Sequence, residues 1–247
     1  MQAYIFLVLT GIGIGSLEYA RYCSRVVAAG GGEVETEIYI ETEQETETKR
    51  ETDSAAGEQA QEMPARIALT FDDGPHPVYT KQLLDGLRER GVTATFFLIG
   101  ENIEGNEDLI KQMYEDGHLI GNHTWSHVKL TDMEAKAACE EITKTSALVK
   151  EITGKDTEYI RPPFGSWEPD LECGFAMFPV LWSVDTRDWT TKNVEQVVNR
   201  AVSGAEDNAI ILFHDCYASS VEAALRTVDI LQAEGYEFVT ADELIFD

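Results

Sequence analysis

The feature that most constrains this fold is an alternation, from Arg66 onward, of short strand-like runs with longer segments of helical periodicity. The strand-like runs are RIALTFDD, TATFFLIG, HLIGNHT, YIRPPF, VLWSVD, AIILFHD and YEFVTADEL. Strands that alternate with helices pair in parallel, because each helix carries the chain back to the starting edge of the sheet. The sequence therefore predicts a parallel α/β architecture, either an open sheet or a barrel, of about seven strands.

Helices are predicted between these strands, over 78–90, 107–116, 131–153, 193–204 and 219–234. Thr131 and Glu134 have the spacing of a capping box at the start of the longest helix. Gly117 and Gly235 follow two of the helical segments, where a left-handed residue ends a helix at low cost. The elements that carry the fold are thus all predicted within residues 64–247.

The charge of the chain restricts its partners. The formal net charge is -26, so the long-range field repels nucleic acid and anionic lipid surfaces and favours a neutral substrate. Residues 33–62 are rich in Glu and contain only two basic residues, Lys49 and Arg50. Such a stretch buries too little apolar surface to offset its ordering entropy. We expect residues 21–63 to form an acidic, disordered linker.

The first 20 residues are predicted to be a signal peptide or a membrane anchor. The run MQAYIFLVLTGIGIG has no charged side chain, and its length suits a signal peptide better than a membrane span. We therefore expect an exported protein, extracellular or held at the cell surface, that meets the membrane only through this segment. The cysteines at 23, 139, 173 and 216 form no CxxC pair; by default they are small buried hydrophobes, although an exported location would permit a disulfide.

Polar side chains follow several predicted strands at their carboxyl ends, which in a parallel fold meet at one rim. Asp72 and Asp73 end the first strand, and consecutive strand residues point to opposite faces unless the chain turns there. Gly74 and Pro75 are predicted to supply that turn. Two carboxylates at one rim suit a division of labour in which one binds a cation and the other accepts a proton. The alternative is a solvated turn.

A metal site is predicted from HTWSH. His123 and His127 stand at i and i+4, which on a helical turn brings both imidazoles to one face. With Asp73 they make two neutral nitrogens and one carboxylate, the ligand pattern of catalytic zinc sites. The same set also fits ferrous iron, so the residues leave the metal open.

Three further motifs supply charged residues to the same rim. His214 ends an apolar strand and is placed to act as a general acid, with Asp185 or Asp188 of DTRDW as its carboxylate partner. Arg161 of RPPFG is predicted to anchor Asp72, the alternative being a surface arginine. The tryptophans near these motifs suit either sugar stacking or the core; they are Trp125, Trp167, Trp182 and Trp189.

Together, TFDDGP (70–75), HTWSH (123–127), RPPFG (161–165), DTRDW (185–189) and LFH (212–214) resemble, in order, the five motifs of the NodB-type polysaccharide deacetylases, carbohydrate esterase family 4. The resemblance covers residues 64–247. It implies a catalytic domain with a distorted (β/α) barrel and one divalent metal ion, zinc first, with cobalt, nickel, manganese or iron as alternatives. It further implies a hydrolase that removes N-acetyl groups from N-acetylglucosamine residues of a cell-wall or chitin-type polysaccharide.

The resemblance also implies a role for each motif residue. Asp72 is expected to be the base and His214 the acid, Arg161 to position Asp72, and Asp188 to tune His214. The metal ligands are expected to be Asp73, His123 and His127. Phe164 stands where this family usually has tyrosine; because its oxyanion contact is a backbone N–H, the function should survive the change. Trp189 is expected to contact substrate.

Three other functions were weighed. An acetylxylan esterase would use the same residues for O-deacetylation, and a non-catalytic glycan-binding module would share the fold. Since every proposed catalytic position is filled, the second alternative is disfavoured. A phosphatase is the most distant, because one carboxylate and two imidazoles build one metal site rather than a pair.

Overall fold

The computed structural model describes residues 64–167, 171, 173–174 and 176–245. The predictions for residues 1–20 and 21–63 therefore lie outside the described residues. In the described part of the chain, no helix is both long enough and apolar enough to cross a membrane.

In the part of the chain that the structure describes, eight strands make one parallel sheet in the order β5-β4-β3-β2-β1-β7-β6, with β8 paired to β1. Their bounds are β1 Arg66–Asp72, β2 Thr95–Leu98, β3 Leu119–Asn122, β4 Tyr159–Ile160, β5 Phe178–Pro179, β6 Val184–Asp185, β7 Ala209–His214 and β8 Glu237–Phe238. The central strand β1 pairs with β7 along almost its whole length, and with β8 and β2 at its two ends. Among the described residues β5 and β6 do not pair, so the barrel is distorted and open. The predicted fold class is confirmed.

The described residues form seven α-helices, of which the last follows the final strand: α1 Tyr79–Arg90, α2 Gly100–Ile103, α3 Glu107–Glu115, α4 Ala135–Thr153, α5 Val194–Gly204, α6 Ala218–Ala233 and α7 Ala241–Ile245. The predicted helices all occur, and Gly117 and Gly235 follow α3 and α6 with φ of 81° and 91°. The capping box at Thr131 was wrong. Leu130–Asp132 form a 3₁₀ turn, and α4 begins after Glu134 without a side-chain cap.

The last predicted strand is two residues long, because a helix follows it at once. Thr240 donates its N–H to Glu243 Oε1 at 3.1 Å, one half of a genuine capping box at the start of α7. The Thr-x-x-Glu spacing was present in the sequence and was overlooked. Strand β5 and helix α2, each very short, were also missed.

The central strand is buried on both faces, which explains its continuous apolar character. Ile67, Leu69 and Phe71 pack against the surrounding helices in the main core, and the Phe71 ring lies 5.2 Å from that of Phe96. The alternate residues Ala68, Thr70 and Asp72 face the barrel interior and become more polar toward the carboxyl end. This gradient leads directly to the candidate site.

A disulfide joins Cys139 of α4 to Cys173. The default interpretation of these two cysteines as small buried hydrophobes was therefore wrong. The two residues are 34 positions apart in the sequence, so no local pattern predicts that they pair. Cys216 is a free, half-buried thiol, and Cys23 lies outside the described residues.

Candidate active site

The two adjacent aspartates reach one site because the backbone reverses at the second of them. β1 ends at Asp72, and Asp73 has a left-handed φ of 73°. We predicted this turn at Gly74 and Pro75, but it begins one residue earlier. Gly74 serves a close approach instead, because a Cβ there would lie 2.3 Å from the carboxylate of Asp215. The interpretation of this segment as a solvated turn was wrong, since Asp72 is buried.

His123 and His127 converge on Asp73, but not on a helical turn as predicted. His123 follows β3, and the chain then makes an irregular turn with left-handed φ values at Thr124 (66°) and His127 (53°). Both Nε2 atoms lie 3.4 Å from Asp73 Oδ1. His123 Nδ1 is 2.5 Å from the carbonyl oxygen of Arg161. Because a carbonyl only accepts, Nδ1 carries the proton and the Nε2 lone pair faces Asp73.

These three side chains fit a divalent cation. Asp73 Oδ1 is buried and has no hydrogen-bond partner in the described structure, and one ligand atom from each residue lies within 4.8 Å of the others. Ligand atoms bound tetrahedrally to zinc at 2.0–2.1 Å are about 3.4 Å apart, which matches both histidine distances. Burial lowers the pKa of His127, so its imidazole is neutral and able to bind a metal at neutral pH. Burial raises the pKa of Asp73, but the neighbouring histidines, His123 first, bring it below its ordinary value.

Arg161 is fully buried beneath Asp72 and is not a surface residue. Its Nη1 donates to Asp72 Oδ1 at 2.9 Å and to Thr70 Oγ1 at 2.6 Å. Its Nε and Nη2 donate to the carbonyls of Val180 and Leu181, each at 3.0 Å. Burial lowers the pKa of Arg161, while Asp72 opposes that shift. The arginine thereby fixes one Asp72 oxygen and leaves the other 3.9 Å from His123 Nε2.

His214 stands opposite Asp72 on the neighbouring strand, since the two residues are paired in the β1–β7 register. Its Nδ1 lies 2.8 Å from Asp188 Oδ1, and its backbone N–H donates to Asp188 Oδ2 at 2.8 Å. Burial lowers the pKa of His214, but the hydrogen bond and charge of Asp188, with the charges of Asp72 and Asp73, raise it to about 9. Asp185 instead accepts the Arg187 N–H in a local turn.

Two exposed aromatic residues flank this cluster. Phe164 has φ of 60°, and its ring packs edge-on against His127 with centroids 4.9 Å apart. Trp189 follows Asp188 and lines a cleft of about 200 Å³ with Tyr217 and Lys192. By contrast, Trp125 and Trp182 are half-buried; Trp125 lies under the Lys144 ammonium, and Trp182 faces Arg161.

Asp215 was missed in the sequence analysis. It is fully buried, accepts a hydrogen bond from Thr80 Oγ1, and packs against Gly74. Burial raises its pKa to about 7. A cavity of about 270 Å³ is lined by Asp73 and by Cys216, the residue after Asp215. The sequence signal that could have identified Asp215 is a carboxyl residue at the end of an apolar strand, as at Asp72 and Asp73.

Comparison with known proteins relates this geometry to one family. Residues 60–175 match the family model described as polysaccharide deacetylase. The peptidoglycan-N-acetylglucosamine deacetylase PgdA of Listeria monocytogenes serotype 1/2a (strain 10403S) is 39% identical over 179 residues, which is 72% of this chain and 38% of that protein. This chain thus spans well under half the length of that relative.

Solved structures extend the likeness to the whole described domain. That of the peptidoglycan deacetylase PdaC from Bacillus subtilis has a TM-score of 0.71 at 37% identity, covering 74% of this chain and 90% of that one. A family 4 acetyl xylan esterase from Clostridium thermocellum, solved with a cobalt ion, has a TM-score of 0.68 at 34% identity. It covers 72% of this chain and 89% of that one.

Proposed function

Because the chain belongs to the polysaccharide deacetylase family, we propose that it is a metal-dependent hydrolase that removes N-acetyl groups from N-acetylglucosamine residues of peptidoglycan and releases acetate. The observation that carries the proposal is the convergence of Asp73, His123 and His127 on one ion-sized gap, with an acid and a base candidate beside it. The names of the relatives support peptidoglycan as the polysaccharide.

The proposed metal ligands are Asp73 Oδ1 and the Nε2 atoms of His123 and His127. When bound there, a divalent cation, with zinc as the first choice, would polarise the acetyl carbonyl and favour ionisation of a water molecule. The cobalt ion in the related esterase supports a divalent metal without selecting which one. Chelation should therefore abolish activity, and readdition of zinc or cobalt should restore it.

Asp72 acts as the general base. Arg161 holds one of its oxygens, so the other is directed at the water that attacks the acetyl carbon. A carbon–oxygen bond forms as the water proton passes to Asp72. The oxyanion that develops is stabilised in part by the backbone N–H of Phe164. This donor belongs to the main chain, so it does not depend on which side chain stands at position 164.

His214 acts as the general acid. Its pKa of about 9 leaves the imidazole protonated at neutral pH, and Asp188 fixes Nδ1 so that Nε2 is the atom that delivers the proton. The carbon–nitrogen bond breaks as the sugar nitrogen takes that proton. Acetate and a free amine are the products. Trp189 is proposed to contact a sugar ring at this side of the site.

O-deacetylation of xylan is the second candidate, favoured by the likeness to the acetyl xylan esterase. The deciding experiment measures acetate release by the metal-loaded protein from peptidoglycan, chitin oligomers and acetylated xylan at matched acetyl concentrations. We expect the highest kcat/KM on peptidoglycan. A preference for acetylated xylan would replace the proposal, and glycan binding with no acetate release from any substrate would overturn it.

We further propose that the protein is exported and acts outside the cell or at its surface. The Cys139–Cys173 disulfide supports this location, because such bonds persist in oxidising compartments. Residues 1–20 are proposed as the signal peptide or anchor, and 21–63 as the linker to the catalytic domain. Detection of the disulfide-bonded domain in the medium or on intact cells would test the location.

A further inference from the structure

The segment His123–His127, here called the histidine turn, is held in an unfavourable backbone conformation. Two of its five residues, Thr124 and His127, have left-handed φ values although neither is glycine. A non-glycine residue in this region is strained and persists only where its surroundings fix it. The position of the His127 ligand atom therefore depends on whatever holds this backbone.

Several backbone groups of the turn have partners in neighbouring strands and helices. The carbonyls of Thr124 and Trp125 accept the N–H groups of Gly100 and Glu101 at the start of α2, each at 3.0 Å. The Thr124 N–H donates to Asn122 Oδ1 at 2.8 Å. Two N–H groups at the centre of the turn, those of Trp125 and Ser126, are left for another acceptor.

Both of these N–H groups donate to one carboxylate, that of Glu141 on α4. The distances to Glu141 Oε2 are 3.0 Å from Trp125 and 2.8 Å from Ser126. The Ser126 hydroxyl adds contacts of 3.0 Å to Oε1 and 3.1 Å to Oε2. Within the described part of the chain, neither N–H has a second acceptor. Hydrogen bonds to a charged acceptor are roughly twice as strong as neutral ones, so Glu141 is the main support of this stretch.

The helix that carries Glu141 is itself fixed to the site. Asn122 Nδ2 donates to the Ile142 carbonyl at 2.8 Å and to Ser146 Oγ at 2.9 Å. Ile142 packs with Ile160, the residue before Arg161, and the Cys139–Cys173 disulfide lies two residues before Glu141. The carboxylate is thus held on a rigid element rather than on a mobile side chain alone.

We propose that Glu141 is a positioning residue for the metal site, one that sets metal affinity through the backbone of the histidine turn. Among the described residues, its carboxylate accepts hydrogen bonds from Trp125 and Ser126 and from none of the three ligand side chains. Without it, the two N–H groups lose their acceptor and the turn relaxes from its left-handed conformation, so His127 Nε2 no longer meets Asp73 Oδ1. The inference rests on the proposed role of Asp73, His123 and His127 as metal ligands.

The chain offers a matched control one residue away. Glu140 has a side chain that is 71% exposed, and its ion pair with Lys136 spans 3.9 Å. Glu140→Gln therefore removes the same charge from the same helix without touching the histidine turn. Glu141→Gln is the conservative variant, because its amide oxygen can accept both N–H groups while its NH₂ donates to Ser126 Oγ.

The experiment measures zinc affinity by competition with a chromophoric chelator for the wild-type protein and three variants. Loss of an outer partner of a metal site typically weakens affinity by about 10- to 100-fold, and this loss is expected for Glu141→Ala. Glu141→Gln is expected to lose less than about tenfold, because only the charge is removed. Glu140→Gln should bind as the wild type does. Circular dichroism of the metal-free proteins reports folding separately.

The outcomes separate this inference from the function it rests on. A folded Glu141→Ala protein with wild-type zinc affinity overturns the positioning role, as does an equal loss in Glu140→Gln. Should Glu141→Ala not fold, a weaker affinity of Glu141→Gln than of Glu140→Gln supports the role, and equal affinities overturn it. A wild-type protein that binds no zinc or cobalt overturns the metal site itself.

Discussion

Two histidines at opposite ends of the sheet, half-buried His214 and buried His118, show how differently the two ends are built. His214 at the carboxyl end faces Asp188, and its pKa is raised to about 9 although burial acts to lower it. His118 precedes β3 at the amino end, where burial lowers its pKa to about 4; the charge of Asp116 acts to raise this pKa, and that of Arg88 acts to lower it. Its Nδ1 only accepts the Ala94 N–H at 3.1 Å, and its ring meets Phe96 edge-on. Burial alone therefore does not decide the charge of a histidine; the partner does.

The contrast extends beyond these two residues. The carboxyl end holds Asp72, Arg161 and Asp188, all buried and paired, and the left-handed residues Asp73 and His127. At the amino end the charges lie at the surface, as in the bidentate pair of Arg88 with Asp116. The carboxyl end of the sheet holds the candidate active site, and the amino end contributes to packing. Substitutions at the carboxyl end should therefore affect activity, and those at the amino end should affect stability.

The largest expected effect belongs to the carboxyl end. Asp72→Asn removes the proposed base but keeps an oxygen to accept from Arg161, and kcat/KM for acetate release should fall by about 10²- to 10⁴-fold. Metal content, measured by elemental analysis, should stay at the wild-type level because Asp72 is not a proposed ligand. His118→Asn at the amino end is the control and should retain activity. Near-normal activity in folded Asp72→Asn would remove Asp72 from the mechanism.

A smaller effect is expected when the two histidines are made more alike. Asp188→Asn removes the carboxylate that raises the pKa of His214, so burial should then bring that pKa down. A general acid must be protonated, and activity is lost as pH rises through its pKa. The alkaline limb of the kcat/KM profile should therefore shift to lower pH, with a loss of about tenfold or more at neutral pH. An unshifted alkaline limb would assign it to another group.

The third effect is on stability rather than on activity, and it belongs to the amino end. His118 has a pKa of about 4 when folded and an ordinary value of 6.5, so the unfolded chain binds its proton more readily between these values. Lowering the pH from 6.5 to 4 should remove about 3 kcal/mol of the free energy of unfolding through this residue. His214 has the opposite sign, and its contribution is lost as pH rises through about 9.

His118→Asn tests this assignment, because its Oδ1 can still accept the Ala94 N–H but cannot titrate. Denaturant unfolding at a series of pH values should show a flatter acid limb for the variant, even though the lost ring lowers stability at every pH. An acid limb as steep as that of the wild type would show that other groups govern acid unfolding.

Much of the site was accessible from the sequence because its residues follow strands. Asp72, His123, Arg161 and His214 each stand at or just after the end of an apolar run, and parallel strands bring those ends together. The sequence motif alone offered either Asp185 or Asp188 as the carboxylate partner of His214. The resemblance to the family favoured Asp188. In the structure, Asp188 is the carboxylate that contacts His214.

The details that failed depend on contacts between distant residues. The i, i+4 spacing of His123 and His127 predicted a helical turn, whereas Glu141 and α2 stabilise an irregular one. The role of Glu141 could not be predicted from the sequence, because nothing in the residues around a helical glutamate indicates which distant groups it contacts. The Cys139–Cys173 disulfide and the lowered pKa of His118 likewise could not be predicted from local sequence.

The sequence by itself determined the alternation of the main strands and helices and the polar residues that follow several strands, and so much of the set of side chains at one rim, because periodicity and turn residues act over short distances. Tertiary structure alone decided which carboxylate faces which cation, which histidines stay neutral and how the histidine turn is held. Those outcomes depend on burial and on partners far apart in the chain, and no local pattern encodes either.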